Sequence, residues 1–264
     1  MTLIDTHAHI YYEDYAENID DIIQRAEDQG VEKIITVGVD LKSSEECIQL
    51  AERFNMVYAT CGVHPHEADK APKGFLYELE DLSAHPKLVA IGEMGLDYHY
   101  NFSEPKVQNR VYLEQLEMAK ALALPAVVHC RESDKDVLKG IQESGNDSGV
   151  VHCFASDLEF AQSIIETGFH ISFTGLITFV KELEEVVQEI PLEKMMLETD
   201  SPYLSPKPHR GKQNEPSRVI HVADKIAELR GLEREEVAQI TTETALDLFS
   251  KLGDCIQSDC IQSS

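Results

Sequence analysis

The sequence contains no tryptophan, and aromatic residues make up only 7% of its 264 positions. Basic residues are scarce as well: 23 lysines and arginines stand against 48 aspartates and glutamates, for a formal net charge of −25. Such a charge repels polyanions and argues against a protein that coats nucleic acid or membranes nonspecifically. It still permits an anionic substrate in one cleft, where a metal ion or a basic loop reverses the local field. No apolar run approaches the roughly 20 residues of a membrane span. Six cysteines in a chain of this length do not make a disulfide framework; several fall inside strand-like runs, where a reduced thiol behaves as a small hydrophobe. Met1-Thr2-Leu3-Ile4-Asp5 shows neither a basic leader nor a small-residue cleavage site, so the expected location is cytoplasmic.

What is present is a regular alternation. Short β-rich runs occur at Leu3–His9, Lys33–Gly38, Val57–Val63, Leu88–Met94, Ala126–Cys130, Gly149–Phe154, Phe169–Thr174 and Lys194–Thr199. Helical spacing separates them, at Ala16–Gln29, Ser44–Phe54, Lys106–Leu122, Leu158–Glu166 and Leu183–Ile190, and continues at Pro216–Arg230 and Glu233–Leu252. Eight βα repeats in about 250 residues predict an α/β protein of the (β/α)8 TIM-barrel type, one domain over residues 1–253. There is no G-x-G-x-x-G or Walker-type phosphate loop, which removes the usual reason to expect an open sheet instead. Residues 254–264 repeat Asp-Cys-Ile-Gln-Ser and read as a disordered or artificial tail, with Cys255 and Cys260 outside the fold.

In such a barrel, chemistry sits at the C-terminal ends of the strands. Those positions hold His7 and His9, Glu93, His129, His152 and Asp200, all of metal-ligand type. Strand alternation points His7 and His9 the same way, so both can grip one ion. Glu93, set among apolar residues, would carry a high desolvation cost unless paired or metal-bound. Four imidazoles and two carboxylates exceed the usual protein complement of one ion, and suit two ions about 4 Å apart. Glu198, two residues before Asp200, is a partner behind the ligands or a salt bridge in the barrel wall. Cys130 and Cys153 follow ligand histidines directly, so alternation turns them away from the metal.

The blocks Asp5-Thr-His-Ala-His9, Gly62-Val-His-Pro-His66, Gly92-Glu-Met-Gly-Leu-Asp-Tyr98, Pro125-Ala-Val-Val-His-Cys-Arg131, Val151-His-Cys-Phe154, Leu197-Glu-Thr-Asp-Ser-Pro-Tyr203 and Pro208-His-Arg-Gly-Lys212 resemble, in order, the TatD family of metal-dependent hydrolases. Many members of that family are known as deoxyribonucleases. The resemblance implies one metal on His7, His9 and Asp200, a second on His129 and His152, and Glu93 between them. It implies that Asp200 orients or deprotonates the attacking water and that His64 contacts phosphate or shuttles a proton. Arg131 and Arg210 are the candidates for binding phosphate, because a guanidinium offers paired donors to its oxygens. One departure falls after Val151-His-Cys-Phe154, where Ala155-Ser156 replaces the family's frequent Ser-Gly and puts the shape of that loop in doubt.

The expected activity is hydrolysis of DNA phosphodiester bonds from a strand terminus, using two divalent ions (Mg, Zn or Mn). Lys207, Arg210 and Lys212, just after Asp200, favour an anionic substrate. The alternative is an amidohydrolase-type esterase, amidase, lactonase or aminoacyl-tRNA deacylase on the same metal site, since the same hydroxide can attack a carbonyl. The expected partners are a DNA terminus or another small anionic substrate, with no membrane and no obligate protein partner.

Overall fold

The computed structural model describes residues 1–100 and 102–253; the repeated tail, with Cys255 and Cys260, lies outside the described residues. Eight strands form one parallel sheet in sequence order: β1 (Leu3–Ala8), β2 (Val31–Val37), β3 (Val57–Cys61), β4 (Leu88–Asp97), β5 (Ala126–Arg131), β6 (Gly149–Val151), β7 (His170–Phe173) and β8 (Met195–Leu197). The α-helices are α1 (Glu13–Ala16), α2 (Ile19–Asp28), α3 (Leu41–Arg53), α4 (Phe75–Ser83), α5 (Pro105–Ala121), α6 (Asp134–Ser144), α7 (Leu158–Glu166), α8 (Glu184–Glu189), α9 (Val219–Arg230) and α10 (Arg234–Leu248). None is long and apolar enough to cross a membrane.

The strands are hydrophobic on both faces, as a parallel sheet covered by helices requires. Neighbouring residues divide between two apolar layers. Ile4, Ile35, Val127, Val150 and Met196 pack inside the barrel over Phe249 and Leu252, which follow α10 and close its floor. Leu3, Ile34, Val128, Val151 and Leu197 face the outer helices instead.

Two bulges reset that alternation at the upper rim, where it matters for the site. On β1, Asp5 pairs with Ile34 and Ala8 with Thr36, so three residues span two. On β4, Ile91 pairs with Ala126 and Met94 with Val128, with the same excess. An extra residue flips the faces beyond it. Ile4 therefore points inward and so do His7 and His9, while Ala8 joins the outer layer. The β4 bulge contains Gly92 at φ 141°, where a Cβ would stand 2.4 Å from the Val127 carbonyl oxygen; only glycine fits at that approach.

The barrel closes through residues just past β8. The Asp200 amide donates to His7 O at 2.9 Å and the His9 amide to Ser201 O at 2.8 Å. Below them, the Asp5 carboxylate accepts from the Thr199 amide (2.8 Å) and hydroxyl (2.6 Å).

All eight predicted strands are present, but the runs read as Gly149–Phe154 and Lys194–Thr199 are too long. β6 ends at Val151 and β8 at Leu197, because the chain turns through positive φ at Cys153 (47°) and Asp200 (52°). The helical patterns also omit α4 and α6, and all but the last residue of α1. In α6 the apolar spacing is broken by Gly140, which the fold needs because a Cβ there would meet the Tyr112 ring at 2.5 Å.

Lys87 has no counterpart in the sequence reading. Its buried ammonium donates to the carbonyl oxygens of Ala51 (2.7 Å), Phe54 (2.8 Å), Asn55 (3.1 Å) and Val57 (3.2 Å). It thus neutralises the C-terminal end of α3, where carbonyls lack helical partners. Lys87→Met should take the buried donor from the Ala51, Asn55 and Val57 carbonyls, while Phe54 O keeps the Val57 amide, at about 3 kcal/mol. Thermal unfolding would register this as a fall of roughly 6–12 °C in Tm for a domain of this size.

Candidate metal centre

Glu93 lies at the middle of the upper rim, almost fully buried, with its two oxygens turned to different neighbours. Oε2 stands 3.5 Å from His7 Nε2 and 3.8 Å from His9 Nε2. Oε1 stands 2.8 Å from His152 Nε2, 3.0 Å from His129 Nδ1 and 3.3 Å from His64 Nε2. Asp200 Oδ1 completes the first set, 3.5 Å from His9 Nε2 and 3.9 Å from His7 Nε2. Burial alone would raise the Glu93 pKa, but the imidazoles of His152, His64 and His129 outweigh it and hold the carboxyl well below its ordinary range. Asp200 is lowered the same way: burial opposes, and His9 and His7 prevail.

Hydrogen bonds behind the rings set which nitrogen faces inward. His9 Nδ1 lies 3.0 Å from Val37 O, so it carries the proton and leaves Nε2 as a bare lone pair. His129 Nε2 lies 3.2 Å from Asp97 Oδ2, which leaves Nδ1 bare. Behind His152, at 3.5 Å from Nδ1, stands Glu198 Oε1, which also accepts from the Cys153 amide at 2.8 Å. Of the two places open to Glu198, behind the ligands or in a barrel-wall salt bridge, it takes the first, behind His152.

His64 differs from the others. Its Nδ1 accepts from the His66 amide at 3.1 Å, so Nε2 is the protonated nitrogen and donates toward Glu93 Oε1. By position His64 could join Glu93 and His129 around an ion, but the proton at Nε2 makes it a donor there. Burial pushes its pKa down to about 4, against the pull of Glu93.

Two residues that the sequence reading did not single out, His66 and Asp97, support this arrangement. Asp97 Oδ2 takes both His129 Nε2 and His66 Nε2 (2.8 Å). Oδ1 accepts from the amides of His99 (3.0 Å) and Tyr100 (2.9 Å). Burial opposes ionisation of Asp97, yet hydrogen bonds from His129 and His66 hold it well below the usual carboxylate range. Its signal was an acidic residue at the far end of the Gly92–Tyr98 block. In Asp97→Asn, an amide NH₂ would face two imidazole donors. Chelator-competition titration should show divalent-ion affinity reduced about 10- to 100-fold, with the melting profile largely kept.

Arg131 is exposed at the end of β5, its guanidinium 4.7 Å from the Tyr100 ring centroid. Arg210 is not brought to the cluster: it stacks on Phe179 at 3.7 Å, and among the described residues no hydrogen bond or ion pair ties it to the six side chains. Cys130 lies beside Ser133 and Asp134, and Cys153 beside Thr174. Burial raises both thiols, so neither is a poised nucleophile.

The donor set fits divalent ions. His7 Nε2 and His9 Nε2 face each other at 3.4 Å, and His129 Nδ1 and His152 Nε2 at 3.3 Å. The lone pairs left on His9 Nε2 and His129 Nδ1 turn into this cluster, beside the buried carboxylates of Glu93 and Asp200, a donor set that suits a cation. Ligands about 2.1 Å from a tetrahedral centre stand roughly 3.4 Å apart, close to the separations seen here. His7, His9 and Asp200 form one such group, and His7, Glu93 and His152 another.

A profile of the family described as TatD related DNase matches residues 4–250. An uncharacterized metal-dependent hydrolase, YabD of Bacillus subtilis, is 42% identical over 251 residues, 94% of this chain and 98% of its own. The 3′-5′ ssDNA/RNA exonuclease TatD of Shigella flexneri is 32% identical over 245 residues, covering 89% and 94%. The solved structure of YJJV, a TatD homologue from Escherichia coli, superposes with a TM-score of 0.90 at 30% identity, covering 94% and 98%. By these matches the chain belongs to the TatD related DNase family and is a metal-dependent hydrolase.

Proposed function

We propose that the protein hydrolyses phosphodiester bonds at the end of a DNA strand, with Glu93 placed so that it would serve two divalent ions. The observation that carries this reading is the division of the Glu93 carboxylate, one oxygen toward His7 and His9 and the other toward His129 and His152. In this reading His7, His9 and Asp200 hold one ion and His129 and His152 the other. Ions held there would supply Lewis acidity toward a phosphate and toward a water.

The protein's own groups then have separate tasks. Asp200, the more exposed of the two carboxylates, orients the attacking water and takes its proton. His64, neutral and carrying its proton on Nε2, offers a hydrogen bond to a phosphate or leaving oxygen. Arg131 binds a neighbouring phosphate at the rim. Arg210, stacked on Phe179, has a weaker case for that role. The net charge of −25 favours a short contact at a terminus over a long groove. The name of the Shigella flexneri relative agrees with a single-stranded substrate.

The test is a side-by-side assay of purified protein on single-stranded oligonucleotides and on carboxyl esters, before and after chelation. DNA cleavage that disappears with chelator and returns with Mn, Mg or Zn is expected. Rapid ester hydrolysis with intact DNA would move the assignment to the amidohydrolase reading, and DNA cleavage without any metal would overturn the mechanism.

A further inference from the structure

Five large apolar side chains are exposed among the described residues, and three of them, Tyr100, Phe102 and Tyr203, stand beside the candidate metal centre. In a chain without tryptophan and with few aromatics, leaving rings in water there forgoes burial that they obtain elsewhere. Tyr100 and Phe102 are 41% and 65% exposed, yet they stack on each other at 5.5 Å with 14° between planes. Both meet the edge of His66, at 5.6 and 4.8 Å. The Arg131 guanidinium sits over the Tyr100 ring.

Residues 97–100 and Ser103 are tied down by hydrogen bonds. Asp97 Oδ1 holds the amides of His99 and Tyr100, while its Oδ2 holds His66 and His129. At the far end, Ser103 donates to His66 O (3.0 Å) and accepts from the Asp69 amide (3.1 Å), and Gln108 donates to Ser103 O (2.9 Å). One carboxylate thus sets the platform and the candidate ligand His129 in a fixed relation.

We infer that Tyr100 and Phe102 form a stacking platform for the nucleobase next to the scissile phosphate, with Arg131 beside it for the adjoining phosphate. The inference rests on the nuclease reading and adds to it the means of base contact. Phe102 offers no hydrogen-bonding edge and Tyr100 only its single hydroxyl, so the platform contacts a base chiefly through its π face, which every base can meet. A base is the fitting occupant because an aromatic pair flanked by a guanidinium, beside a phosphate-hydrolysing centre, complements a ring joined to an anion.

The test uses metal-loaded enzyme and a single-stranded oligonucleotide with cleavage-resistant phosphorothioate linkages at its end and 2-aminopurine at the terminal or penultimate position. Wild type should quench the fluorescence. Phe102→Leu and the Tyr100→Leu/Phe102→Leu pair should lose the quench and bind about 5- to 100-fold more weakly. Phe102→Trp should retain both properties, and Tyr77→Leu, at an exposed ring on α4, should behave as wild type. Melting profiles check that each variant is folded. Wild-type quench and affinity in the Leu variants would overturn the platform while leaving the nuclease reading intact. If wild type neither binds nor cleaves any oligonucleotide, the nuclease reading fails first and the platform with it. A dimer that the Leu variants dissolve, with oligonucleotide binding unchanged, would show that the rings face a second copy and would also overturn the inference.

Discussion

Glu93→Gln should lower kcat by about 10³-fold or more and leave the protein folded. The reasoning starts from charge. One carboxylate serves two sets of imidazoles through its separate oxygens. A glutamine has nearly the same shape, so the β4 bulge and the Gly92 contact should survive. It lacks the negative charge, and its NH₂ must turn toward either the His7–His9 side or the His129–His152 side. Whichever side it faces meets donors where an acceptor is needed. The loss of several kcal/mol of transition-state stabilisation, at about 1.36 kcal/mol per tenfold, sets the scale of the kinetic defect. Metal analysis should show lower occupancy, and circular dichroism a folded barrel. Unimpaired cleavage by purified Glu93→Gln would remove the carboxylate bridge from the account.

Asp200→Asn should be comparably damaging, for a reason that separates chemistry from folding. Asp200 adopts φ 52°, a left-handed conformation in which asparagine is as well accommodated as aspartate. The Asp200 amide bond to His7 O and the Ser201–His9 bond that close the barrel are made by backbone and do not depend on the carboxylate. The variant therefore keeps its seam and loses only a charged oxygen near His7 and His9, the group proposed above to take a proton from water. About 10³-fold in kcat, with little movement in KM, is expected, since the missing interaction belongs to the transition state. A large rise in KM with kcat preserved would place Asp200 in substrate binding instead.

The fold was legible because eight apolar runs with helical spacing between them leave few alternatives at this length. The strand ends were less so. Nothing local in Val151-His-Cys-Phe or Leu197-Glu-Thr-Asp says that the chain leaves the ladder at once, since the departure is forced by turns at Cys153 and Asp200. Parity was hidden too. His7 and His9 share a face by simple alternation, but their sharing the inner face with Ile4 depends on a bulge that only pairing with β2 reveals. The six ligand-type residues could be found because their positions at strand ends follow from the barrel. Asp97 and His66 act through contacts among β4, β5 and the turn after β3, and Lys87 through carbonyls of residues before it in the chain, so periodicity gave no hint of them. Arg210 shows the converse: its place in a basic loop suggested phosphate, whereas its ring partner is Phe179.

The most direct test of the bridged centre is activity measured against ion equivalents as chelator-stripped protein is titrated with Mn or Zn. Two tight equivalents per chain are expected, with DNA cleavage rising mainly as the second site fills. Full cleavage at a single equivalent, with Glu93→Gln equally active, would contradict the account.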